Sequence, residues 1–172
     1  MSAISYRDLW SDTVVHTVSP NGQIFVDNFA DQRIEVRLDD GYFHRTSSDQ
    51  VTQQLVRVLR LAIAERFRER RQLLRDVSEV SFEEPTRGRR PHADGVRRRS
   101  EELEAVGTSS DGRVEVTAIG LQHLALRMDP GLFLSGDRLL LEADLGEACT
   151  RAVQAQIAGM RDLKHRVADD LH

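Results

Sequence analysis

The sequence predicts an α+β protein made of two tandem α-β-β-β-α units, and three observations predict it. The stretches from Ile24 to Leu38 and from Val114 to Met128 alternate apolar and polar residues with the period of a half-buried strand. Each stretch is followed by a long run whose apolar residues recur at helical spacing. The chain also aligns with itself, without a gap, when slid by ninety positions. Gly22 then falls on Gly112, Gln32 on Gln122, Arg37 on Arg127, Asp39 on Asp129, Gly41 on Gly131 and Phe43 on Phe133. The register continues through Leu55 on Leu145, Ala62 on Ala152, Arg71 on Arg161, Leu73 on Leu163 and Val77 on Val167.

Taken in order, Tyr6–Trp10 reads as a short leading helix and Thr13–Ser19 as a β-prone run, with Pro20-Asn21-Gly22 supplying a turn. Ile24 and Val26, then Ile34, Val36 and Leu38, form strands with one buried face. An Asp39-Asp40-Gly41 corner leads into a long helix with Ser48 or Asp49 as N-cap. Its apolar positions are Val51, Leu55, Val58, Leu59, Ala62, Ile63 and Phe67. The second unit repeats the scheme. A short helix is expected around Val96–Ala105, then strands on Val114 and Val116 and on Leu124, Leu126 and Met128. An Asp129-Pro130-Gly131 corner precedes a helix with Leu141, Leu145, Ala148, Cys149, Ala152, Val153 and Ile157 inward. Residues 81–95, SFEEPTRGRRPHADG, read as a charged Pro/Gly linker between units 1–80 and 96–172.

Composition narrows the function. The 172 residues are 40% hydrophobic and 30% charged, a globular balance. No apolar run approaches the ~20 residues of a membrane span, and MSAISYRDLWSD lacks the layout of a secretory signal. A cytoplasmic protein without a membrane partner is expected. The single cysteine, Cys149, excludes an internal disulfide, and its place in a helical pattern marks it as a buried apolar group. Six scattered histidines form no ligand pair, so neither a metal nor another cofactor is expected. Asp39-Asp40 and Asp129 stand at the same corner of each unit, which favours turn and capping duty over acid–base work. No phosphate loop, dinucleotide fingerprint or nucleophile elbow is present, and no enzyme is expected.

The order of a glycine turn, alternating strands, the Asp-Pro corner of LALRMDPGLF and an Ala-rich helix between Gly107 and Lys164 resembles the YbaB/EbfC family of bacterial nucleoid-associated proteins. Val14–Leu74 shows the same layout with Asp39-Asp40 in place of Asp-Pro. The resemblance implies subunits that pair through their strands with long projecting helices. It also implies binding to double-stranded DNA with weak sequence preference and, for this chain, two copies fused into an intrachain pseudo-dimer. Related units are similar to parts of proteins associated with type VII (ESX) secretion, which act through protein partners. A protein-interaction or chaperone-like adaptor is therefore the alternative, and a purely structural protein that self-associates is the third reading.

The charge distribution points to the first reading. Net charge is −4, but residues 57–99 hold thirteen Arg against seven acids, leaving the rest of the chain at −10. Arg57, Arg60, Arg68, Arg71 and Arg75 share one helical arc opposite Leu55, Leu59 and Ile63, a stripe able to track phosphates in the nucleoid. The alternative is a solvated face relieved by Glu65 and Glu69. Arg66 and Arg70 share the apolar face, so either the helix outruns its sheet there or they pair with acids of the other unit. Arg87, Arg89 and Arg90 with Arg97, Arg98 and Arg99 form a second basic cluster. It either contacts phosphates or pairs with Glu101, Glu102 and Glu104. The second helix carries Glu147, Thr150, Ala158, Arg161 and His165 at the matching positions, and no stripe.

Overall fold

The computed structural model describes residues 13–80, 98–120 and 123–169, with the side chains of 70, 71, 73–80, 164 and 167–169 outside the description. The chain divides into two units, Met1–Pro85 and Thr86–His172. The first holds β1 (Val14–Val18), β2 (Ile24–Phe29), β3 (Ile34–Leu38), α1 (Asp40–Arg45) and α2 (Ser48–Val80). The second holds β4 (Glu104–Thr108), β5 (Val114–Ile119), β6 (His123–Met128), α3 (Pro130–Leu134) and α4 (Arg138–Asp169). Except for β6, which begins one residue earlier, every element of the second unit starts ninety positions after its counterpart.

Hydrogen bonding closes two three-stranded antiparallel sheets, β1-β2-β3 and β4-β5-β6. Each sheet is made of strands from one unit. The long helix of each unit covers the apolar face of that unit's sheet. In the first, Val15, Ile24, Val26, Ile34, Val36 and Leu38 meet Val51, Leu55, Val58, Leu59 and Ala62, all buried. In the second, Ala105, Val114, Val116, Ala118 and Leu124 meet Leu141, Leu145, Ala148, Cys149 and Ala152.

The turns show why these strands pair in this register. Gly22 and Gly112 have φ of 71° and 75°, a region that costs glycine nothing. Around each, a serine closes the turn. Ser19 Oγ accepts from Ile24 N at 2.9 Å and Ser109 Oγ from Val114 N at 3.0 Å. At the next corner Asp39 caps α1 by accepting from Tyr42 N at 2.8 Å, and Asp129 caps α3 by accepting from Gly131 N at 2.7 Å. The paired carboxylates are capping groups.

Three expectations need correction. Of the leading helix expected around Val96–Ala105, the described residues are helical at 98–101, and Glu104–Thr108 is a strand; the charge-rich run masked an Ala105-Val106 strand start. The cap of α2 is Ser47, one residue earlier than expected, whose Oγ accepts from Gln50 N at 3.4 Å. Phe67 is 39% exposed; among the described side chains of α2 the last buried one is Ala62, and half-buried Ile63, Glu65 and Arg66 follow. The expected Tyr6–Trp10 helix and the 81–95 linker lie outside the described residues.

Candidate nucleic-acid interface

Helix α2 turns one side to its sheet and presents Arg57, Arg60 and Arg68 on the other, all at least partly exposed. With 100° per residue, these three and positions 71 and 75 fall within an arc of roughly 80°, and Arg57 to Arg75 spans about 27 Å of axis. None of Arg57, Arg60 and Arg68 pairs with an acid among the described residues. Of the two acids named in the alternative reading, Glu65 accepts a hydrogen bond from the buried Thr17 hydroxyl on β1, and neither it nor Glu69 forms an ion pair with these arginines among the described residues. Leu61 and Phe67, just outside the two edges of that arc, are 40% and 39% exposed. Arg71 and Arg75 belong to the helix backbone, with side chains outside the description. Arg98 and Arg99 are exposed at the start of the second unit; Arg87, Arg89, Arg90 and Arg97 lie outside the described residues.

Arg66 is not part of this surface, and its described bonds stay within its own unit. It donates to Asn28 Oδ1, to Phe29 O at 2.6 Å and to Ala30 O at 3.5 Å, closing the end of β2. Sequence spacing placed it on the inward face but could not supply its partners, which are mostly backbone carbonyls.

In the second unit the end of the equivalent helix surface nearest the β4–β5 turn is occupied by structural contacts. Glu147, the counterpart of Arg57, accepts from Ser110 N at 2.8 Å and from Ser110 Oγ. Those two bonds, with the nearby Arg151 charge, hold its carboxyl below the usual range. Arg151 donates to Thr108 O at 2.6 Å and to Ser110 Oγ at 3.1 Å, and pairs with Glu147 at 2.7 Å. The first unit has Pro20, Arg57 and Leu61 in place of Ser110, Glu147 and Arg151, so this clamp cannot form there. The i, i+4 spacing of Glu147 and Arg151 was the available sequence signal; its target, the turn backbone, was not readable.

Asp27 lies between His16 Nδ1 at 2.7 Å and Arg37 Nη2 at 2.9 Å on the outer sheet face. Arg37 also stands 5.9 Å from the Phe25 ring centroid, and Arg33 stands 4.0 Å from that of Phe29. Cys149 is fully enclosed, which pushes its thiol up to about 12. Among the described residues, no group of three His, Cys, Asp or Glu side chains is placed to hold a metal ion, and no helix is long and apolar enough to cross a membrane. No protein-family model matches the chain, and no curated protein or solved structure matches it.

Proposed function

We propose that the two units are diverged copies of one YbaB-like unit, and that the chain binds double-stranded DNA without enzymatic action, through the arginines of α2. One observation carries this reading. Arg57, Arg60 and Arg68 stand on one helix face without acidic partners among the described residues, while the matching positions of α4 are Glu147, which is held in a clamp, Thr150 and Ala158. Arginines on a straight helix can each neutralise a phosphate and release a counterion, giving affinity with little sequence preference. Arg71 and Arg75 would extend the interface along the helix, and the cluster 87–99 would add to it. Nucleoid localisation follows from that ligand.

The test is a titration of unrelated duplexes at two salt concentrations. The triple variant Arg57→Glu, Arg60→Glu, Arg68→Glu should weaken binding to all of them alike. It should also flatten the slope of log K on log salt by about 0.9 for each phosphate no longer neutralised. No binding by the native chain at low salt, or unchanged affinity in the variant, rejects DNA as the ligand.

The exposed Leu61 and Phe67 support a second reading, a protein-interaction adaptor of the kind tied to type VII secretion. A purely phosphate-tracking face does not require apolar groups, whereas a protein partner would cover them. Leu61→Ser with Phe67→Ser separates the two: DNA affinity should hold, and capture of a nuclease-resistant protein partner should be lost. Pairing of the two copies within one chain is part of the same proposal. A narrow distance distribution between spin labels at Gln53 and Ala143, unchanged on dilution, is the expected result; a broad one removes the pseudo-dimer and leaves the duplication standing.

A further inference from the structure

Helix α4 aims Asp144 at the β4–β5 turn, where another carboxylate and one guanidinium already meet. Asp144 is 7% exposed, and its Oδ2 has no hydrogen-bond partner among the described residues. Arg113 Nη2 lies 3.7 Å from that oxygen, beyond hydrogen-bonding reach, because the same nitrogen is paired with Asp111 Oδ2. Asp111 is held further by Ser109 Oγ at 2.8 Å and Arg113 N at 3.0 Å. Two carboxylates thus share one cation, and the cation is committed to the more exposed of them.

The first unit has uncharged residues at the matching positions. The residues ninety positions earlier are Gln54 for Asp144, Asn21 for Asp111 and Gln23 for Arg113. Gln54 also has a buried Oε1 without a partner among the described residues. The site therefore tolerates an unpartnered oxygen on a neutral side chain. What the second unit adds is a group that is neutral only while it holds a proton.

We propose that Asp144 is a proton-operated latch between α4 and the β4–β5 turn. As the neutral acid it hydrogen-bonds Asp111 and leaves Arg113 to that residue. On losing its proton it competes with Asp111 for Arg113 and loosens the turn from the helix. Burial first, then the Asp111 charge, pushes the Asp144 carboxyl above its ordinary 3.8, against the smaller pull of Arg113. The side-chain bond from Arg113 is the largest of the effects holding Asp111 well below the same value. The other charges facing Asp144 leave that order intact: Glu147 on its own helix adds repulsion, Arg151 is held by Glu147, and Asp129 acts on Arg113. An acid whose folded pKa is raised stabilises the fold below its unfolded pKa. That stability is lost as pH rises toward the folded value.

Carboxyl carbon NMR on the intact chain, from acid to neutral pH, tests this. The Asp144 midpoint should lie above 3.8, and the Gly112 and Arg113 amide signals should move with it. The Gly22 amide of the first unit should show no such step. Asp144→Asn should abolish the step at Gly112, and Asp111→Asn should lower the Asp144 midpoint toward the ordinary value. A midpoint at or below 3.8, or turn amides that follow only Asp111, overturns the latch. The native-chain titration decides the matter even where a variant fails to fold.

Discussion

The seam between helix and sheet is built differently in the two units, although their elements follow one another in the same order and spacing. In the first, Thr17 on β1 faces α2 and donates to Glu65, while Arg66 reaches Asn28 and the carbonyls beyond it. In the second, the position of Thr17 is Gly107. A Cβ there would overlap the Ala148 carbonyl oxygen and Ala152 nitrogen, and would lie 2.9 Å from Ala152 Cα. Val15, Asn28 and Val58 are likewise replaced by Ala105, Ala118 and Ala148, so smaller residues admit the α4 backbone onto β4. One seam is a polar set of bonds at the rim; the other is backbone packed against backbone. The close seam brings α4 within reach of the turn at Ser110 and commits its surface to the Glu147–Arg151 clamp. The polar seam leaves the corresponding arginines of α2 facing solvent.

The largest effect should come from reversing the close seam. Gly107→Val asks a branched side chain to enter space held by helix backbone, which cannot rotate away. Its cost should exceed the ~1–3 kcal/mol usual for overpacking. The matching change, Thr17→Gly, should cost only about 1 kcal/mol, from one hydrogen bond and added backbone freedom. Urea melts of the two variants, followed by hydrogen exchange in β1 and β4, compare them directly. Equal losses would mean that the two helices sit alike on their sheets.

Next in size is Arg66→Ala. It removes a charged donor from three acceptors and leaves Asn28, 1% exposed, with neither amide atom satisfied. A loss of about 2–3 kcal/mol is expected. Arg66→Gln, which imports the residue found at Gln156, should recover little of this. Gln156 stands where the strand offers Ala118 rather than an asparagine, and its own Oε1 lacks a partner among the described residues. A neutral Arg66→Ala would make the polar seam incidental.

These contrasts also mark what could be read from sequence. Strand alternation placed β2 and β3 of the first unit, because buried faces repeat with a fixed period, and β-prone composition placed β1. The aspartates at 39 and 129 were legible as caps because a cap is a local device. Phe67 was not, since an apolar residue in phase with a stripe says nothing of where the sheet beneath it stops. Nor was the clamp: Glu147 looked like a missing arginine, and only the turn ninety positions from Pro20 shows it to be engaged. Partners supplied by backbone atoms of another element leave no trace in composition.

Glu147→Ala is therefore no neutral control for the arginine stripe. It strips two bonds from Ser110 and the ion pair from Arg151, and should lower the melting temperature measurably. Since its carboxyl is held below the usual range, mainly by the Ser110 side-chain bond, this contribution is present above the unfolded pKa. It is lost as pH falls through the folded value. The native and variant melting temperatures should converge in acid. Ala158, on the same helix and outside the clamp, is the proper control.

The smallest effect sharpens the comparison most. Arg57→Glu places in the first unit the residue that anchors the clamp in the second, yet stability should change by less than about 0.5 kcal/mol. Pro20 has no backbone N–H or hydroxyl to offer the new carboxylate, and Leu61 offers no guanidinium. Adding Pro20→Ser and Leu61→Arg supplies both, and the triple variant should be more stable than the sum of its parts, a coupling that a mutant cycle reads directly. It should also bind DNA less well than Arg57→Glu does with Leu61→Arg alone, because the added arginine is then drawn to the turn. If the three changes simply add, the clamp depends on the close seam beneath it as well as on its three residues. In that case the free arginines of α2 are a consequence of how far the helix stands from its strand.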